Sequence, residues 1–144
     1  MTLRTLVLAA LLAPTPALAV PQCPTVEQRA ELSDFARELQ GADSPAEARK
    51  MALKKVRASH RAVDQAMKLV PGDAELRERQ VDLESFEAGV RASKSQAEVA
   101  SHFSALEARA AAGSCHYSTG EVIAVVLGFV LGIIPGIILL ILLC

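Results

Sequence analysis

The stretch Val122–Cys144, VIAVVLGFVLGIIPGIILLILLC, runs for 23 residues without a charge or a strongly polar side chain. Drawn as one α-helix it is about 34 Å long, against a hydrocarbon thickness of about 30 Å. A helix on the surface of a small domain needs apolar side chains on one face, whereas this segment is apolar all round. The reading that follows is a C-terminal transmembrane helix over residues 119–144, with Tyr117 and Glu121 at the outer interface. Inside it, Gly120, Ala124, Gly128, Gly132 and Gly136 recur every fourth residue and leave one helix face almost bare. Helices in lipid associate by close backbone approach at such faces, so the span is expected to self-associate there. Pro135 lies beside this face, where it removes a backbone hydrogen bond and is expected to bend the helix.

Working outward, the N-terminus carries a second apolar run with a different purpose. Arg4 supplies a positive start, Leu6–Leu12 an apolar core and Ala17-Leu18-Ala19 a small-x-small cleavage site, the pattern of a signal peptide over residues 1–19. Export orients the chain as a single-pass membrane protein whose bulk is periplasmic or extracellular. No Lys or Arg follows the span, so the usual cytoplasmic positive anchor is missing. Removal of the tail for a glycolipid anchor competes with retention, and the short polar spacer favours retention. Leu131–Ile138, LGIIPGII, resembles part of the second membrane segment of the small stress-induced proteolipid family. The match covers eight residues, the family's first segment has no counterpart, and no function is carried over.

The middle, residues 20–118, reads as an exported helical domain. Thr25–Gln28, Ser44–Glu47 and Ser95–Glu98 have capping-box spacing, and Asp73 after Pro71-Gly72 is a fourth N-cap. With stops at Gly41, Pro71-Gly72 and Gly113, these signals predict helices over 26–40, 45–70, 74–92 and 96–112. Each has a narrow apolar stripe: Leu32, Phe35, Ala36 and Leu39; then Leu53, Val56, His60, Val63, Met67 and Val70; then Leu76, Leu83, Phe86 and Val90; then Val99, Phe103, Leu106 and Ala110. The expected fold is all-α, a small antiparallel bundle of about four helices plus the transmembrane helix. Met67–Leu76 resembles the junction between tetratricopeptide repeats, but the repeat's other positions and its period are absent.

Three cysteines, 15 Lys and Arg and 16 Asp and Glu bound the chemistry. Near-balanced charge gives no case for nucleic acid as a partner, and four Phe with one Tyr and no Trp offer few stacking platforms. Cys23 and Cys115 bracket the bundle and are expected to pair, closing a loop of about 92 residues worth about 4–5 kcal/mol in a chain-entropy treatment. Cys144 would then lie at the opposite membrane face. His60 reads as a seam residue of the core, and His102 and His116 are isolated. With no His-Glu-x-x-His, Cys-x-x-Cys or Gly-x-Ser-x-Gly spacing, no catalytic, metal or cofactor residue is assigned. Lys50, Lys54, Arg57 and Arg61 form a basic stripe at helical spacing, either a partner-binding surface or a face salt-bridged to acidic neighbours. The function expected is a membrane-tethered, non-catalytic interaction module, with membrane lipid and an envelope protein as partners. The alternative is a subunit of a small oligomeric assembly or pore built on the glycine face.

Overall fold

In the computed structural model, residues 23–112 and 115–144 are described, and the expected signal peptide over 1–19 lies outside them. The described residues form six helices and no strand: α1 (Val26–Gln40), α2 (Pro45–Leu69), α3 (Ala74–Ala92), α4 (Gln96–Ala111), α5 (Thr119–Leu131) and α6 (Ile133–Leu142). The first four match their sequence expectation to within a residue, because their ends are chemically marked. Thr25 and Gln28 close a complete capping box at α1, while Ser44, Asp73 and Ser95 accept from Glu47, Leu76 and Glu98 N–H respectively. Pro45 opens α2, where the N–H it lacks would have had no partner.

The C-terminal segment departs from expectation. It is not one helix of 26 residues but two short ones, and no described helix is long and apolar enough to cross a membrane. The break follows from Pro135. Its ring excludes the carbonyl four residues earlier, that of Leu131, and α5 ends at Leu131. Gly132 then takes φ +146° and ψ 160°, a conformation that costs a side-chain-bearing residue about 1–3 kcal/mol. Pro135 sits in the first turn of α6, where the helix needs no donor from it. The chain reverses, and α5 and α6 become an antiparallel hairpin.

This reversal puts α6 at the centre. It contacts every other helix, and Ile134–Leu142 are buried without interruption. A helix apolar all round can lie in lipid or in the middle of a bundle, and here four amphipathic helices together with α5 supply the second solvent. Around it, α1 packs on α4 and α2 on α5. Phe103 meets Phe35 and Phe86 edge-to-face at 5.1 and 5.3 Å, tying α1, α3 and α4 into one apolar cluster.

The seam expected on α2 shifts. Val56 and Val63 are buried as expected, but Leu53, His60, Met67 and Val70 are only half-buried. Ala48, Ala52, Ala62 and Ala66, with Ser59, are buried instead. Small side chains let α2 approach the hairpin closely, and the Ser59 hydroxyl donates to the Pro135 carbonyl at 3.2 Å. Large residues had marked the seam in sequence; close approach selected the small ones.

Candidate functional site

Three regions hold the groups from which function can be built: the tip of the hairpin, a cationic groove, and the end of the bundle where the cysteines meet.

The five small residues do not share one helix face, because the helix ends at Gly132. Gly132 is the turn itself. Gly128 and Gly136 face each other across the hairpin, where a Cβ on Gly128 would lie 3.1 Å from the Gly136 Cα and 2.9 Å from a Leu139 methyl. Gly120 sits against Asp73, a Cβ there being 2.5 Å from its carboxylate, and Ala124 is buried. The close approach expected between chains is thus used within one chain. At the turn the apolar surface is open to solvent: Val130 is 77% exposed, Ile133 58%, Val126 52% and Leu131 40%. Four large aliphatic side chains clustered around one turn form an exposed apolar patch.

At the opposite end, α3 and α5 share an anchor. Asp73 caps α3 through Leu76 N–H at 2.9 Å and also accepts from the Ser118 hydroxyl at 2.7 Å and Gly120 N–H at 2.8 Å. Burial works to raise its pKa, but these bonds and one from Glu75 N–H outweigh it, so the carboxyl sits below its ordinary value. Ser118 and Glu121 form a complete capping box at α5, and the Glu121 side chain is buried with Arg79 at 3.8 Å. That box was present in the sequence as Ser118-Thr-Gly-Glu121; reading Glu121 as an interface marker concealed it. The Tyr117 hydroxyl donates to the Leu140 carbonyl at 2.6 Å, bridging the two arms of the hairpin at its open end. Burial, with the neighbouring Cys23 and Glu121, pushes this phenol up to about 12.

The cysteines meet at this end. The expected Cys23–Cys115 bond is not the one formed: Cys115 is joined to Cys144, with Cα atoms 4.8 Å apart. The hairpin is the reason, since it returns Cys144 to the start of α5 instead of carrying it across a membrane. Cys23 lies alongside, and its Sγ accepts from Cys115 N–H at 3.2 Å. All three sulfurs lie within 4.8 Å of one another, and all three residues are half-buried.

The basic stripe does assemble. Lys50, Lys54, Arg57 and Arg61 line one open groove with His60, and Arg91 of α3 completes it. Among the described residues, Lys54, Arg57 and Arg61 have no carboxylate within 4.0 Å, and Lys50 has only Glu47 of its own helix at 3.8 Å. The acidic residues of α1 that lie nearest, Glu31, Asp34 and Glu38, share a second cleft with Lys54 but make no ion pair with it within 4.0 Å among the described residues. The groove's inner wall carries Glu87, whose Oε1 accepts from Arg91 Nε at 3.0 Å and whose Oε2 lies 2.7 Å from His60 Nε2. Burial works to raise the Glu87 pKa, but its bond to Arg91 and the charges of His60 and Arg91 outweigh it and hold it down. With Glu47 the groove holds two carboxylates against five Lys and Arg.

Comparison with protein-family models, with curated proteins and with solved structures finds no match to this chain.

Proposed function

We propose that this chain is a non-catalytic helical interaction module that works at a membrane, with its C-terminal hairpin as the membrane-directed element. The observation that carries the reading is the exposed tip of Val126, Val130, Leu131 and Ile133, which opens directly onto a 23-residue segment without charge. Apolar surface of this kind gains free energy wherever water is excluded, at about 25 cal/mol per Å². Lipid accepts the tip and the segment behind it, because from Val122 to Leu143 no ionisable side chain has to be desolvated. Within α5 and α6 the backbone groups stay satisfied in either solvent, apart from those at the Gly132 break. In the fully inserted form, residues 119–144 tether the chain and leave the charged helices at the outer surface.

The groove supplies the interaction. Three cations that make no ion pair within 4.0 Å among the described residues, held along one rigid helix, suit an acidic segment of an envelope protein. Their attraction acts mainly on association rate and falls with salt.

The test is flotation of the full-length chain with phosphatidylcholine vesicles on a density gradient. The chain is expected in the lipid fraction, and Val130→Lys with Ile133→Lys is expected to move it to the aqueous fraction without loss of helicity. Full recovery of the wild-type chain in the aqueous fraction would sink the membrane reading.

A further inference from the structure

The sequence places Cys115 92 residues after Cys23 and 29 before Cys144, yet the fold gathers the three sulfurs at one point. A disulfide needs two of them. The third is held in place by a backbone donor, Cys115 N–H, that belongs to the central cysteine of the trio. We propose that Cys23, Cys115 and Cys144 form a thiol–disulfide exchange site that governs delivery of the apolar hairpin to a lipid surface. The inference rests on the membrane reading above.

The exchange balances within the chain. The Cys23 thiolate attacks Cys115 Sγ, the Cys23–Cys115 bond forms, the Cys115–Cys144 bond breaks, and the electron pair leaves on Cys144. Cys144 takes up the proton that Cys23 gave up, so the chain holds one disulfide and one thiol before and after, without an external oxidant or reductant. The hydrogen bond from Cys115 N–H holds the Cys23 sulfur beside the disulfide, and partial exposure of all three residues lets water carry the proton.

The two pairings hold different parts of the molecule. Cys115–Cys144 clamps the open end of the hairpin, joining the residue just ahead of α5 to the residue just after α6. Cys23–Cys115 instead ties the segment ahead of α1 to the segment ahead of α5 and leaves the last arm without a covalent hold. That arm is then retained by apolar packing, by Tyr117 on the Leu140 carbonyl and by Ser59 on the Pro135 carbonyl. Cys144 lies just beyond α6, so the departing sulfur moves away with that helix, and reversal is disfavoured once the arm has entered lipid. Lipid that binds only the unclamped form draws the exchange forward by mass action.

The experiment uses the full chain. Disulfides are mapped by alkylation, proteolysis and mass measurement in mildly alkaline buffer, with and without phosphatidylcholine vesicles, and flotation is read on the same samples. Vesicles are expected to raise the Cys23–Cys115 peptide by about tenfold. Cys144→Ser, which retains only that pair, is expected to float, and Cys23→Ser, which retains only the clamp, to stay in the aqueous fraction. Absence of a Cys23–Cys115 peptide from the wild type under both conditions overturns the exchange, whatever the flotation shows. Equal flotation of the two variants overturns its control of delivery. If exchange is mapped but no form floats, delivery to lipid fails together with the membrane reading while the exchange chemistry stands. The wild-type map does not depend on either variant folding.

Discussion

Helices α1–α4 and the α5–α6 hairpin solve the same problem in opposite ways. In the first four helices every start is marked by a side-chain cap, one face is apolar and the other carries charge. The hairpin has one ionisable residue, Glu121, and α6 has no side-chain cap at all. The four-helix frame is built for the boundary between water and an apolar interior, so its helices know which way to face. The hairpin has no polar side to orient it, so its place is set by whatever apolar volume surrounds it. Here that volume is the frame. The contrast teaches that a chain-terminal apolar segment can be the centre of a bundle without having been written differently from a membrane span.

This comparison can be broken most directly at Leu139, which is fully buried in α6. Leu139→Ala is expected to lower unfolding free energy by about 2–5 kcal/mol in urea titration of the lipid-free chain. An unchanged midpoint would mean that the hairpin is not the frame's centre in water. Next in size is the turn. Gly132→Ala forces a side chain onto φ +146° and is expected to cost about 1–3 kcal/mol by the same measurement. If the variant is instead more stable, α5 and α6 prefer to be one helix and the hairpin is the wrong description.

Asp73 sharpens the comparison because it ties frame to hairpin. Its pKa is lower in the fold than the ordinary 3.8, so its stabilising contribution is complete above that value and is lost as pH falls through the folded value. Asp73→Asn is expected to cost about 1–2 kcal/mol at neutral pH, where charge-assisted bonds to Ser118 and Gly120 are lost. The gap between variant and wild type closes in acid, as followed by circular dichroism across a pH series. A gap independent of pH would assign the anchor to shape and not to charge.

The smallest effect on stability is expected in the groove. Lys54→Glu with Arg57→Glu removes no ion pair and is expected to shift stability by less than about 0.5 kcal/mol. The same substitutions are expected to abolish retention of the chain on an acidic-peptide column at low salt. Retention equal to wild type would remove the groove from the functional reading.

Much of the frame was legible because caps and stripes are local. Thr25, Ser44, Asp73 and Ser95 fix helix starts through groups three residues away, so no long-range information is needed. The basic stripe was legible for the same reason, since residues four and three apart share a helix face. Its completion by Arg91, and the pairing of Glu87 with Arg91 and His60, were not, because those depend on how α3 lies against α2. The cysteine pairing was misread for a topological reason: a segment drawn straight puts Cys144 far from Cys115, and one folded at Gly132 puts it beside.

By itself the sequence determined where α1–α4 begin and end, that the fold is all-α, and that most of residues 122–144 need an apolar environment. Only the tertiary structure decided what shields them, which two sulfurs bond, and that alanines and not the larger residues line much of the buried face of α2. The physical reason is that hydrogen bonding along a helix is settled between near neighbours. The hydrophobic effect is non-directional, and which apolar environment a segment enters depends on every other surface available to it.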